Sequence, residues 1–492
     1  MKRIVQVVHN FLPRNPFGTE NYTYHLSKEL QKTNEVYIFC RENKDSLGKD
    51  FSQDEVFHGL PVRRLYFNPS WIFDASYRNS FVDKEFESFL DEIRPDIVHF
   101  QHLMGLSASM IQVARQRGIP AVLTLHDFWF ICSQVQLLTN GNRVCSGPDS
   151  NDKCANCETI PFTYNYIYRE SRSFRDFYDR ILRFLKYPPG PLKSVKKLVP
   201  GRVRAFLKQK FLKAQPPLPS LTPSMKAKMK GDMIAKRFNF LRQMLDKVDI
   251  ILSPSKFLKE KFIHYGMGEN RIFHLQHGIK HTPLINLSKE PSNKFRFGFI
   301  GNVSEHKGIK VLIKAFNRIK KDDVVLSIFG PYDKYYLSKL RKELNIGSRV
   351  TFYGPFDNRQ ISSVFSKIDV LVFPSIWYEN QPITLLEVLL AKIPIITSNL
   401  GGMAELVQDG VTGLLFEVGN SEDLCQKMVS LMDNRELLKR LSETPRQVKS
   451  IEKNAQELNE IYDSLLGKAW LPKDISSPLR GEDKGEGEIS TL

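Results

Sequence analysis

The chain has 492 residues, 41% of them hydrophobic and 25% charged, with a formal net charge of +17. This length exceeds what one hydrophobic core organises, and the composition is that of a folded protein, so a disordered chain is excluded and roughly two or three domains are expected. No uninterrupted apolar run of about 18 residues appears, and the short apolar stretch in MKRIVQVVHNFLPRN is broken by polar residues. The expected location is therefore cytoplasmic, without a membrane span.

The first third alternates short β-rich runs with helical patterns. IVQVVH reads as a strand, NYTYHLSKELQK as a helix, and EVYIFC, DIVHFQH and AVLTLHD as further strands separated by helices. Such alternation predicts right-handed βαβ units and a parallel sheet. Next come Cys132, Cys145, Cys154 and Cys157, spaced C-x12-C-x8-C-x2-C. The closing C-x2-C is half of a tetrahedral zinc pattern, and in a chain with reduced thiols a structural zinc is expected here in preference to disulfides.

Residues 158–240 carry 19 Lys and Arg against 5 Asp and Glu, a net +14 that accounts for most of the chain's excess. Within this insert, FRDFYDRILRFLKY and VRAFLKQKFLKA interleave basic residues with Phe, Leu, Ile and Tyr at spacings of three and four. That pattern suits amphipathic helices on an anionic membrane surface; a solvated face or a nucleic-acid contact has the same charge signature. The aliphatic interleaving and the lack of a recognition helix or RNA-binding signature favour a peripheral membrane partner and no nucleic acid.

VDIILSPS and SKFLKEKFIHYG resume the strand–helix rhythm, and HTPLINLSKEPSNK reads as a linker. The pattern then restarts with FRFGFIG, VVLSIFG, RVTFYG, VLVFPS, PIITS and GLLFE as strands between helices. The expected division is residues 1–288 as one α/β domain containing the cysteine loop (132–157) and the basic insert (158–240), residues 289–467 as a second, and residues 468–492 as a flexible tail. The helix NAQELNEIYDSLLG lies just before that tail.

Ligands of open parallel sheets bind beyond the carboxyl ends of the strands. Those ends carry PRNPFGTEN, LHDFW, GNVSEHKG, GPY, YGPF and ENQPITLLE. Several are Gly-containing turns leading into helices, a shape that lets backbone amides hold phosphate. No G-x-G-x-x-G follows the first strand and no P-loop is present, which disfavours dinucleotide redox chemistry and P-loop phosphoryl transfer. In ENQPITLLE, Pro382 suits the first position of a helix that is apolar all round. Glu387 then falls on an apolar face and needs a polar partner, whereas Glu379 sits in the loop where helix amides favour an anion.

Taken in order, these segments resemble retaining glycosyltransferases of family 4, which have the GT-B fold of two Rossmann-like, doubly wound domains facing across a cleft. The strongest part is ENQPITLLEVLLAKIPIITSNLGGMAELVQDGVTGLLF, similar to the family's E-x7-E segment with its following glycine pair and Asp-Gly turn. The resemblance implies transfer of a sugar from a nucleoside-diphosphate sugar, such as a UDP- or GDP-sugar, to a polysaccharide or lipid-linked acceptor in cell-envelope glycan synthesis. It implies that Glu387 accepts hydrogen bonds from the ribose hydroxyls, that Glu379 and His126 meet the donor sugar, and that Lys307 balances the departing diphosphate. Gly18, Gly301 and the segment Asn380, Gln381, Pro382 and Ile383 would approach the phosphates, and Gly330 and Gly354 the base. No catalytic metal is implied, and the helix NAQELNEIYDSLLG would cross back to the N-terminal domain. Asn302 replaces an arginine common in the family's G-R-x-x-x-x-K-G pattern, removing a cation and a bidentate fork; His306 beside Lys307 compensates only if protonated. Two other readings remain at this point: a nucleotide-sugar epimerase or hydrolase of the same fold, and a basic nucleic-acid-binding protein.

Overall fold

The computed structural model describes residues 1–14, 17–43, 50–68, 73–139, 143–157, 223–282, 284 and 287–467. The two basic amphipathic stretches read above as membrane-binding, and the tail 468–492, lie outside the described residues.

Two sheets organise the chain. The first has eight strands: β1 Arg3–Val7, β2 Glu35–Glu42, β3 Phe51–Phe57, β4 Leu60–Tyr66, β5 Ile97–Phe100, β6 Ala121–Thr124, β7 Ile250–Ser253 and β8 Ile272–His274, in the order β3-β4-β2-β1-β5-β6-β7-β8. The second has six: β9 Phe295–Ile300, β10 Val324–Phe329, β11 Val350–Gly354, β12 Val370–Phe373, β13 Ile395–Ser398 and β14 Gly413–Phe416, in the order β11-β10-β9-β12-β13-β14. Pairing is parallel throughout except between β3 and β4. The central strands are buried along their whole length, IVHF, AVLT and VLVF among them, because helices cover both faces. Each sheet accordingly has two hydrophobic clusters, one on each face.

The hairpin β3–β4 was not foreseen. Its outer strand FSQDEVF is mostly exposed, polar and tied by Arg63 to Asp54 at 2.6 Å, so it shows little of the hydrophobic patterning from which the other strands were read. The helix Ile451–Leu465 falls by number within 289–467, yet its buried face enters the first sheet's core. Ile451, Leu458, Ile461 and Tyr462 pack with Ile4, Val8 and Leu26. Tyr22 donates to Asn454 at 2.8 Å, the Tyr462 hydroxyl meets His99 Nδ1 at 2.6 Å, and Lys2 pairs with Asp463 at 2.8 Å.

The last third of the basic insert is also a core element. Helix Pro223–Leu245 buries Ile234, Arg237, Leu241 and Met244 against the first sheet's cluster, and the Arg237 guanidinium donates to the Trp129 carbonyl. Among the described residues no helix is long and apolar enough to cross a membrane.

Candidate functional site

The carboxyl ends of the strands in both sheets meet where the lobes touch. Asn380 Nδ2 donates to the His126 carbonyl at 2.5 Å, and the His277 amide donates to Gln381 Oε1 at 2.7 Å. Glu405 of the second lobe accepts from the amides of Lys256 and Phe257 at 2.9 and 3.0 Å, at the start of helix Lys256–His264. A Cβ on Gly18 would stand 3.9 Å from Ile383, so the loop after β1 lies against the start of helix Ile383–Leu390.

Lys307 and Glu379 form the centre of the second lobe's side. Lys307 Nζ stands 2.6 Å from Glu379 Oε1, and the same oxygen accepts from Ser375 Oγ at 2.8 Å and Trp377 Nε1 at 2.9 Å. Three donors on one oxygen fix the carboxylate. Lys307 also lies 5.1 Å from the Trp377 ring centroid, within cation–π range. Its loop comes this close because residue 308 is glycine. With φ of +73°, Gly308 passes over the Pro374 carbonyl, and a Cβ there would sit 1.7 Å from that oxygen. The glycine pair after β13 serves the same segment: a Cβ on Gly402 would fall 1.4 Å from the Asn380 carbonyl, and the Gly402 amide donates to the Glu379 carbonyl at 2.8 Å.

Glu387 lies one helical turn beyond Ile383. Its side chain is partly covered, and its carboxyl makes no hydrogen bond or ion pair with any described residue. Burial pushes it up to about 7, the response of a carboxyl without donors. The salt bridge that an isolated buried glutamate would call for is therefore absent. The helix itself starts at Pro382 with no side-chain cap, which leaves its first amides open.

Gly301, Gly330 and Gly354 assemble at adjacent strand ends. The Gly330 amide donates to the Gly354 carbonyl at 2.8 Å, and a Cβ on Gly330 would lie 2.1 Å from the Gly301 carbonyl. Beside them Tyr353 stacks on Phe329 at 4.6 Å while staying half exposed. Asn302 is exposed. Burial and the neighbouring Lys307 lower the His306 pKa, so His306 is neutral and does not replace the missing arginine's charge.

On the first lobe, His126 Nε2 meets Gln101 Oε1 at 2.9 Å, and its ring stacks on His277 at 4.9 Å. Burial, then the neighbouring imidazoles of His277 and His102, lower its pKa well below the ordinary value, so the ring is neutral. Asp127 accepts from the Trp129 amide at 2.8 Å and pairs with His102 at 2.7 Å. Burial opposes the His102 charge, but Asp127 and Glu20 outweigh it and raise its pKa.

The structure does not show the expected zinc site. Cys132, Cys145, Cys154 and Cys157 form no disulfide, and among the described residues no group of three or more His, Cys, Asp or Glu could hold a metal ion. Cys145 and Cys157 donate to the carbonyls of Gly147 and Leu138 at 3.6 Å, Cys132 and Cys154 pack on the first core, and burial, then the nearby thiols of the other three, push the Cys154 thiol up to about 12.

The structure thus joins Lys307, Glu379, Asn380, Gln381, Ile383, Gly18 and His126 at one junction. Sequence reasoning missed Trp377, Ser375, Gln101 and His277. Trp377 and Ser375 sit within four residues of Glu379, so a search for donors flanking the acid would have found them; His277 and Gln101 follow strand ends that were not examined for side-chain partners.

Two family profiles match without overlap: Glycosyltransferase Family 4 over residues 17–188 and Glycosyl transferases group 1 over residues 284–448. An uncharacterized glycosyltransferase, MJ1178, of Methanocaldococcus jannaschii is 28% identical over 230 residues, 46% of this chain and 62% of that one. The N-acetyl-alpha-D-glucosaminyl L-malate synthase of Bacillus anthracis is 26% identical over 168 residues, 34% of this chain and 43% of that one. The chain thus matches about half the length of these curated relatives. Among solved structures, Anabaena Alr3699/HepE in complex with UDP and glucose shares the fold at a TM-score of 0.56 with 14% identity, covering 94% of this chain and all of that one. The two parallel-rich sheets are those of the GT-B fold, and the chain belongs to the glycosyltransferase family that these two profiles describe.

Proposed function

We propose that this protein is a retaining glycosyltransferase that moves a sugar from a nucleoside-diphosphate sugar to a glycan or lipid-linked acceptor in cell-envelope glycan synthesis. The observation that carries the reading is a cation and an unpartnered carboxylate at one helix start: Lys307 held on Glu379 at 2.6 Å, and Glu387 without a donor one turn beyond the uncapped amides at Ile383. Solved neighbours of this fold in complex with UDP or UDP-glucose support a nucleotide-sugar donor.

In this reading Glu387 accepts from the ribose hydroxyls, which supplies the donors that its carboxyl lacks. Lys307 and the open amides receive the diphosphate as the bond from the anomeric carbon to the phosphate oxygen breaks and charge grows on the leaving group. Glu379, held by Ser375 and Trp377, keeps its place when Lys307 turns to the diphosphate, and presents its second oxygen to the donor sugar. Neutral His126 contacts sugar hydroxyls as a hydrogen-bonding group, not as a charge. Gly330 and Gly354 shape the base pocket beside Tyr353. The charge of the insert, net +14 over residues 158–240, supports a peripheral position at the inner face of a cytoplasmic membrane.

A thermal-shift screen with UDP-, GDP-, ADP- and dTDP-sugars tests the core of the reading. One nucleotide class should raise the unfolding temperature with concentration. A flat response to all four would end the proposal.

A further inference from the structure

Three neighbouring strands of the first sheet, β1, β5 and β6, carry a row of polar side chains toward their carboxyl ends. Gln6 lies in β1, Gln101 directly follows β5, and His126 stands two residues past β6. Both glutamines are buried, Gln6 completely and Gln101 to within 1%. Gln101 Nε2 donates to Gln6 Oε1 at 2.9 Å, and at its other end Gln101 Oε1 meets His126 Nε2 at 2.9 Å.

The order of donors and acceptors along this row fixes the state of the His126 ring. Turning the Gln101 amide round would set its oxygen against Gln6 Oε1, two acceptors at hydrogen-bond distance. With the oxygen toward His126, the hydrogen between them is the ring's own, so Nε2 is protonated. Burial, then the imidazoles of His277, His102, His99 and His9, oppose a second proton. Nδ1 is therefore a hydrogen-bond acceptor. It meets no described residue, it is not among the buried polar atoms without a partner, and the ring stays partly exposed, so a ligand can reach it.

The rest of this residue is held by other elements. Asn380 takes the His126 carbonyl, His277 stacks on one face of the ring while its amide is held by Gln381, and Tyr22 stands edge-on with ring centroids 5.7 Å apart. None of these contacts engages a ring nitrogen; among the described residues Gln101 does. We propose that Gln101, braced by Gln6, is a positioning residue that keeps the hydrogen of His126 on Nε2, so that Nδ1 accepts a hydrogen bond from a hydroxyl of the bound sugar. A carboxylate or phosphate oxygen, which has no hydrogen to give at neutral pH, does not fit that place. This inference rests on the transferase reading and gives its histidine contact a direction.

Nitrogen NMR of the histidine rings in the full chain tests it, with His126 assigned by its absence from the spectrum of His126→Gln. The wild-type ring should carry its hydrogen on Nε2 alone at neutral pH. Gln101→Leu should mix the two tautomers and lower kcat ~tenfold, the scale of one lost hydrogen bond, read as nucleoside diphosphate release from the nucleotide sugar that the thermal screen selects. Unchanged nucleoside diphosphate affinity shows that the variant has folded. Gln101→Glu keeps an oxygen toward Nε2 and should recover most of the rate at high pH. Its carboxylate raises the His126 pKa, so the rate should fall as pH drops and Nδ1 gains a hydrogen, a loss that the wild type does not share. A wild-type ring protonated on Nδ1 would overturn the proposal. So would wild-type tautomer and kcat in Gln101→Leu, or a Gln101→Glu rate equal to that of Gln101→Leu at every pH. Failure of the transferase reading would appear separately, as a wild type that binds no nucleoside diphosphate whatever its tautomer.

Discussion

The two lobes present opposite kinds of site at their junction. On the second lobe, charge is already matched: Glu379 Oε1 gathers Lys307, Ser375 and Trp377 within 2.9 Å, and only Glu387 stands apart. On the first, Glu20, His9 and Arg41 each keep a buried atom without a partner. The second lobe's arrangement is the one that the proposed chemistry requires: a leaving group that gains charge during the reaction is best met by a cation fixed beforehand.

The largest effect should come from removing the cation. Lys307→Ala should lower kcat by roughly 10²–10³-fold, the scale of one lost group that stabilises transition-state charge. Initial rates at saturating donor check this, and wild-type turnover would break the contrast at its strongest point.

Glu387→Gln should separate function from stability. Donor affinity should fall by ~10–100-fold with loss of a charged hydrogen-bond acceptor. Stability should move the other way. The folded carboxyl titrates at about 7 against an ordinary 4.5, so the wild type loses stability as pH rises through that window. The variant should gain up to ~3 kcal/mol at pH 8 and nothing at pH 4. Chemical denaturation at the two pH values decides it; equal gains at both would show that desolvation is not the cause.

Trp377→Phe keeps the ring beneath Lys307 and deletes one donor to Glu379. A drop in kcat of ~tenfold with little change in donor KM is expected. A change confined to KM would mean that the indole binds substrate and does not position the acid.

The smallest effect concerns the contact between lobes. Glu405→Ala removes the carboxylate that accepts from the first two amides of helix Lys256–His264, leaving the Ser255 cap in place, and should cost ~1 kcal/mol, read as a lower unfolding midpoint. An unchanged midpoint would make this contact incidental to closure.

Much of the second lobe was legible because its signals are local. Glu379, Pro382 and Glu387 lie within nine residues, and strand, turn and helix follow one another in the order that the resemblance requires. The cysteines are the converse case: spacing places them in one loop, but how each sulfur is held depends on carbonyls and core packing that the spacing does not encode. The polar strand β3 likewise gave no periodic signal.

Sequence by itself determined the two α/β repeats and the strand-end turns in which Lys307 and Glu379 lie, because hydrophobic period and turn residues are short-range properties. Only the tertiary structure decided that Asn380 reaches His126, that Gln381 meets His277, and that Glu405 meets the start of helix Lys256–His264. Those contacts join residues up to hundreds of positions apart, and their geometry is set by how two closed cores stack, which no local pattern records.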